Sequence, residues 1–335
     1  RSRGLGDVYK RQGQGYAPVG ILDPFWNSKG LITPEKFREF CAPTVALLRF
    51  PKRSYYNDEV FTGKAEVYNY SSSALKSAKF KWWVTDESGK ILKSGKLNTQ
   101  NIGNNGVFPA GEFSYALNGI SAPQRLTVHL SVNNTINNSW DIWVYPRRDL
   151  KGLMQSTADV LYTTAFDAKA KQFLAEGKKV VLCPMPAKVI GRSSNFHNHF
   201  WNPIMFKWKP MTLGCLIHAE QKMFDNFITE KHLDWQWWDI LAHAKVIEMD
   251  EAPRQLRPFI QVIDSYETNH KLGSGFEAKV GNGKLMVLAL DTKKEMEKRP
   301  ATQQLLVSID RYVKSGHFNP QVDVEESFIE SFLRK

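Results

Sequence analysis

The period of the apolar residues changes once along this chain, near residue 147, and that change limits the architectures open to it. Before it the chain alternates. Arg125-Leu126-Thr127-Val128-His129-Leu130-Ser131-Val132 puts an apolar side chain at every second position, the pattern of a strand with one face in a core. Trp140, Ile142 and Val144 repeat it, as do Phe80, Trp82 and Val84, and then Phe113, Tyr115 and Leu117. Glu87-Ser88-Gly89-Lys90 supplies a turn into Ile91–Leu97, which makes that stretch a hairpin. Residues 51–146 therefore read as an all-β domain whose roughly seven short strands fit an immunoglobulin-like β-sandwich.

After the change the chain follows a β-α-β order. Val160–Thr164 is a short strand. Asp167–Glu176 reads as a helix with Ala170, Phe173 and Leu174 on one face and Gly177 as its stop. Lys179–Cys183 is a buried-type strand, so the unit implies parallel pairing with a crossover. Pro258–Asp264 is a further strand, and Gly275–Val280 and Lys284–Asp291 flank Gly281-Asn282-Gly283, a hairpin signal. Pro300–Ser315 is a helix directing Leu305, Leu306, Ile309, Tyr312 and Val313 to a core, with Gly316 ending it. Residues 147–320 thus form a layered α/β domain, and 321–335 are left as a C-terminal tail.

Residues 13–50 do not make a domain alone. Val19–Leu22 is a short apolar run, and Thr33-Pro34-Glu35-Lys36 starts a helix with Thr33 as N-cap and Pro34 at its first position. The opening, residues 1–12, has neither strand nor helix period and reads as an assembly artefact, and the first methionine is Met154; the chain is expected to be truncated at its N-terminus. Of the net charge of +11, residues 1–12 carry +3, which leaves +8 scattered without any nucleic-acid-binding signature. No apolar run reaches the ~20 residues needed to span a bilayer. Cys41, Cys183 and Cys215 are far apart and form no CxxC pair.

The chemistry-bearing residues give weak signals. Phe196–Trp238 holds five of ten tryptophans and four of eight histidines. Core and interface packing is the default reading of such a stretch, and a sugar-stacking surface is the alternative. His197 and His199 lack a third ligand at a metal-site spacing, so no metal is expected. Cys183 is followed by Pro184 and Cys215 lacks a flanking glycine pattern, so neither sits on a nucleophile elbow. No GxSxG occurs, and the Gly273-Ser274-Gly275 and Gly281-Asn282-Gly283 runs are too short for a phosphate loop. Glu66, Glu112 and Glu277 lie in strand patterns where a solvated face is the default.

The run Gln12–Phe40 resembles the last strand and loop of the catalytic (β/α)8 (TIM) barrel of glycoside hydrolase family 2, of the β-galactosidase-like type found in Bacteroidetes. Ser139–Pro146 resembles the close of that family's immunoglobulin-like domain. Phe200–Pro203, His232–Trp238, Gln261–Asp264 and Phe276–Leu285 resemble its C-terminal, flavodoxin-like layered amidotransferase-like domain. The resemblance implies a multidomain chain: the end of a barrel in 13–50, an immunoglobulin-like sandwich in 51–146 and an amidotransferase-like domain in 147–320. It implies a retaining β-glycosidase whose acid/base and nucleophile glutamates lie on earlier barrel strands, so no catalytic residue carries over to this chain. The loop after the last barrel strand would reach the active-site face, which makes Gln14, Asp23 and Trp26 the substrate-contact candidates. An oligosaccharide or polysaccharide partner, no cofactor, no nucleic acid, a periplasmic or secreted location and compatibility with an oligomer follow from the same resemblance. Two alternatives stay open: a non-catalytic carbohydrate-binding or structural module, and an active amidotransferase using Cys183 or Cys215.

Overall fold

A computed structural model describes residues 21–23, 25–120, 123–194, 196, 212–264 and 268–334. They fall into two compact units. The first holds the described residues up to Pro51, with Phe61–Tyr115 and Thr127–Asp141; the second holds Lys52–Val60, Ala116–Leu126 and the described residues from Ile142 onward.

The first unit is built of antiparallel strands. A short helix α1 (Pro34–Arg38) opens it, and the Thr33 hydroxyl accepts from Lys36 N at 3.2 Å, the cap its sequence calls for. Strands β1 (Thr44–Arg49), β3 (Val60–Asn69) and β6 (Gly106–Ala116) form a three-stranded sheet; β2 (Ser54–Tyr56) lies between the first two in sequence. A second sheet runs β2-β8-β7-β4-β5, with β4 (Leu75–Thr85), β5 (Ile91–Ile102), β7 (Gln124–Val132) and β8 (Ile136–Tyr145). Burial alternates along β3, as a strand with one face in a core requires. Trp82 of β4 stacks on Phe113 of β6 at 4.4 Å and 11°, which brings the two sheets face to face. The β4–β5 turn closes where Asp86 Oδ1 accepts from Ser88 N and Lys90 N and Gly89 takes φ +82°. Strand β8 leaves this unit after Asp141, and Ser54–Tyr56 pair in parallel with Trp143–Tyr145 within the second unit.

The second unit is a three-layer α/β arrangement around an eight-stranded sheet. Its main path is β11-β13-β15-β16-β10-β9, comprising β9 (Val160–Thr163), β10 (Lys179–Leu182), β11 (Arg192–Ser193), β13 (Lys245–Glu248), β15 (Leu272–Val280) and β16 (Gly283–Leu288). Strands β12 (Cys215–Ile217) and β14 (Ile260–Val262) pair with each other, and β14 joins β15. Both faces are buried. Val181, Met286 and Leu288 point to one core with Leu305, Ile309 and Val313 of α4 (Pro300–Lys314). Val180, Leu182, Leu285 and Val287 point to the other, with Ala170 and Leu174 of α2 (Ala168–Ala175) and Phe328 and Ile329 of α5 (Glu326–Ser331). Between α2 and α4 in the chain stands the short α3 (Trp237–Ala242). Gly283 matters here: a Cβ on it would stand 2.5 Å from Leu174 Cα, so only glycine lets α2 lie this close to the sheet.

Several expectations change. Strand β1 pairs antiparallel with β3, so Thr44–Arg49 belongs with the all-β unit, and no barrel strand stands among the described residues of 13–50. The flavodoxin-like expectation fails as well. Among the described strands of the eight-stranded sheet only β9, β10 and β16 run parallel to one another, whereas the pairings among β11 to β16 are antiparallel, with β15 and β16 joined directly as a hairpin. Residues 321–334 are not a tail: Lys279 N donates to Val322 O at 2.8 Å, and Phe328, Ile329 and Phe332 are buried. No helix among the described residues is long and apolar enough to cross a membrane.

Candidate functional site

The described part of the aromatic-rich stretch divides by burial. Trp237 is fully buried, with its indole N–H donating to Thr229 Oγ1 at 2.8 Å, whereas Trp235 and Trp238 are 53% and 56% exposed. Packing is thus the role of Trp237. His197, His199 and Trp201 lie outside the described residues.

Trp235 stands on the rim of a pocket of about 530 Å³ in the second unit, with Phe196, Leu216, His232, Asp234 and Ile263 around it. Edge strand β12 supplies one wall. Ile217 N donates to Lys231 O at 2.9 Å and Leu216 bridges His232, so residues 231–235 run alongside that strand. Phe196 faces the Trp235 ring at 5.2 Å, and the Arg53 guanidinium lies 5.2 Å from the ring centre. Leu216 and Ile263 keep 45% and 39% of their surface exposed. The result is an aromatic and aliphatic surface beside one carboxylate.

That carboxylate is held by the start of α3. Asp234 Oδ1 accepts from Gln236 N at 3.2 Å and Oδ2 accepts from Gln236 Nε2 at 3.0 Å. Gln236 is fixed in turn, donating to Ile228 O and accepting from the Tyr145 hydroxyl. Burial pushes Asp234 up to about 6, against the hydrogen bonds from Gln236 that favour its charge. The folded state therefore holds this proton more tightly than the unfolded chain, where aspartate titrates near 3.8. Its contribution to stability is full below about pH 4 and is lost as pH rises toward 6. Asp234→Asn should gain stability relative to wild type across that interval, read by thermal melts at several pH values. A difference in Tm that does not change with pH would contradict it.

A second concavity of about 380 Å³ lies where the parallel strands β9, β10 and β16 end, lined by Thr164, Cys183, Met185, Asp291 and Lys293 among others. Ligands commonly bind at that end of a parallel sheet. Burial pushes the Cys183 thiol up to about 12, and does the same to Cys215. Burial thus disfavours the thiolate at both positions, the opposite of the lowered proton affinity that marks an activated cysteine nucleophile.

Of the substrate-contact candidates, Gln14 lies outside the described residues. Asp23 and Trp26 share a tight loop in the first unit. Asp23 Oδ1 accepts from Phe25 N and Asn27 N, each at 2.8 Å, and Trp26 takes φ +68°, a left-handed conformation costly for a bulky residue. Trp26 is 71% exposed. Among the carboxylates, Glu66 and Glu112 pair with Arg49 and Lys64 on the surface, as a solvated face allows. Glu277 differs: it accepts from the Tyr312 hydroxyl at 2.9 Å, and burial raises its carboxyl above the usual range.

No curated protein matches this sequence. Solved structures resemble parts of it. An alkylpurine DNA glycosylase of Pseudomonas fluorescens, bound to DNA containing an abasic site analog, is 14% identical over 31% of this chain and 31% of its own, with a TM-score of 0.26. The CARDB domain of a Pyrococcus furiosus protein is 14% identical over 31% of this chain and 96% of its own, with a TM-score of 0.25. A β-glucuronidase of Parabacteroides merdae is 15% identical over 42% of this chain and 21% of its own, with a TM-score of 0.23. The matched segments thus span under a third of the glycosylase and about a fifth of the glucuronidase, and at these TM-scores none of the activities passes to this chain. Residues 59–146 match the family described as Domain of unknown function (DUF8488). Residues 161–334, more than half of the sequence, match Domain of unknown function (DUF8487), and the chain belongs to that family.

Proposed function

We propose that this chain is a non-catalytic, saccharide-binding accessory part of a β-glycosidase-type protein, and that the Trp235 pocket holds the sugar. The observation that carries this reading is the half-exposed Trp235 ring, opposed by Phe196 and bordered by Asp234. A pyranose offers an apolar C–H face to such a ring and hydroxyls to such a carboxylate. The sequence resemblance to glycoside hydrolase family 2 supplies the glycosidase context, and with it an immunoglobulin-like identity for the β-sandwich and a periplasmic or secreted setting.

A contact with the catalytic barrel is proposed for the N-terminal segment. Phe25, Trp26, Leu31 and Phe40 are 57–75% exposed within a short stretch, a density of bare apolar surface that favours a covering partner. Asp23 and Trp26 would then face substrate at the edge of that barrel. Without the barrel's glutamate pair, the chain alone should leave nitrophenyl β-glycosides intact while still binding oligosaccharide. Titration with β-linked gluco- and galacto-oligosaccharides, followed by tryptophan fluorescence, tests the pocket. Saturable quenching is expected, with Trp235→Ala weakening affinity by about tenfold or more, about 1.4 kcal/mol. Turnover of a glycoside by the purified chain would contradict the non-catalytic reading.

A further inference from the structure

Where β13 ends beside the start of β15 in the second unit's sheet, strand pairing brings a histidine to two carboxylates that lie about twenty residues earlier in the sequence. Glu248 ends β13 and pairs opposite Leu272 of β15, and Met249 N donates to Lys271 O at 2.7 Å. Asp250 lies two residues past Glu248 and His270 two before Leu272, so both stand just beyond the paired strand ends. One oxygen from each carboxylate and one imidazole nitrogen lie within 4.8 Å of one another. His270 Nδ1 stands 2.5 Å from Asp250 Oδ2 and 3.4 Å from Glu248 Oε1.

We propose that Glu248, Asp250 and His270 form a three-ligand site for a divalent transition-metal ion of the zinc class. Ligand bonds of roughly 2.0–2.2 Å separate neighbouring donors around a tetrahedral ion by about 3.4 Å. The Glu248–His270 spacing already has that value. The Asp250 oxygen needs to withdraw by about 1 Å, a small rotation for a carboxylate at the surface. Imidazole among the donors selects a borderline transition ion over calcium or magnesium, which prefer all-oxygen sets. Three protein ligands leave the remaining positions to water.

The surroundings hold the donors in place. Asp250 Oδ1 accepts from Lys271 N at 2.8 Å, which aims Oδ2 at the imidazole. The Asp264 side chain is 1% exposed; its Oδ2 accepts from His270 N at 2.8 Å and from Thr268 Oγ1 at 2.7 Å, and Arg192 closes its other oxygen. This buried carboxylate anchors the backbone of His270, the kind of outer support that metal ligands need. A plain histidine–carboxylate ion pair is the competing explanation for the same contacts.

Tag-free full chain titrated with cobalt(II), read by visible absorption, and with zinc(II), read by calorimetry, separates the two. One equivalent of each should bind, and calcium should not compete. His270→Gln should weaken binding by about tenfold or more, and the double variant Glu248→Gln/Asp250→Asn should do likewise, with unchanged circular dichroism reporting that both variants fold. Absence of stoichiometric binding below about 1 mM, or affinity that survives His270→Gln in folded protein, would overturn the site and leave the ion pair.

Discussion

Trp237→Ala is expected to destabilise the second unit by about 3–5 kcal/mol, the cost of removing a large ring from a packed core. Trp237 has no exposed surface. Its ring meets Phe227 edge-on at 5.4 Å and 84°, and Phe224 at 6.4 Å and 66°. Truncation leaves a void that those rings cannot collapse into without leaving their own contacts, and it strips the Thr229 hydroxyl of its indole donor. Domains of this kind are stable by roughly 5–15 kcal/mol, so the variant should sit near the limit of folding. Trp237→Phe, which keeps an aromatic ring, should lose about half as much. The contrast is with Trp235, two residues earlier. Trp235→Ala gives up a cation–π contact with Arg53 and a ring contact with Phe196 at a half-exposed site, about 1–2 kcal/mol together. Urea denaturation of the three variants checks the order. Equal losses for Trp235→Ala and Trp237→Ala would contradict the division between core and pocket.

Removing the Asp239 carboxylate should cost about as much, for a different reason. Arg299 is buried, with its side chain 4% exposed, and its Nε donates to Asp239 Oδ2 at 3.0 Å and Oδ1 at 3.2 Å. The guanidinium also donates to the carbonyls of Asp291 and Lys294, which tie the loop before α4 to the helix start. Thr302 Oγ1 donates to the same carboxylate at 2.9 Å. Asp239→Ala leaves a cation in the interior without its counter-charge, for which about 3–5 kcal/mol is typical. Exchanging both partners, as in Asp239→Leu/Arg299→Met, should recover part of the loss, because no lone charge remains buried. It should not recover all, since the Asp291 and Lys294 carbonyls still lose their donor. A double-mutant cycle in urea isolates the coupling. A loss below about 1 kcal/mol for Asp239→Ala would mean that solvent reaches Arg299.

Local signals are legible in the sequence, and long-range ones are not. Alternation along Arg125–Val132, the Thr33-Pro34 cap and the apolar stripe of Pro300–Lys314 each depend on neighbours within a few residues, and the structure carries all three. The glycine-rich turn after Val280 is likewise a hairpin, with Val280 opposite Gly283 and Gly281 at φ +57°. Strand β1 carries no sequence signal of its membership in the all-β unit, because its partner β3 comes later in the chain and nothing in Thr44–Arg49 names that partner. The mixed direction of the second sheet was hidden for the same reason. Residues 321–334 read as a tail in the sequence because a helix as short as Glu326–Ser331 carries too few apolar positions to display a period.

The site shows the same limit. The run Trp235-Gln236-Trp237-Trp238 contains the pocket residue and the core residue together: Trp235 lies in the turn before α3 and is half exposed, whereas Trp237 opens the helix and is buried, a boundary the composition of the run does not mark. Asp234 gains its raised proton affinity from burial that composition does not reveal. Glu248 and Asp250 do carry a signal, two carboxylates at strand spacing, but their histidine stands twenty residues on and meets them only through the β13–β15 pairing.

Saccharide binding by the pocket is tested most directly by calorimetric titration of the purified chain with β-linked oligosaccharides, run in parallel on wild type and Trp235→Ala. Saturable binding with one site per chain, weakened about tenfold or more by Trp235→Ala while Tm stays within a few degrees, is the predicted result. No saturable heat up to about 10 mM sugar, or binding that Trp235→Ala leaves untouched, would contradict it.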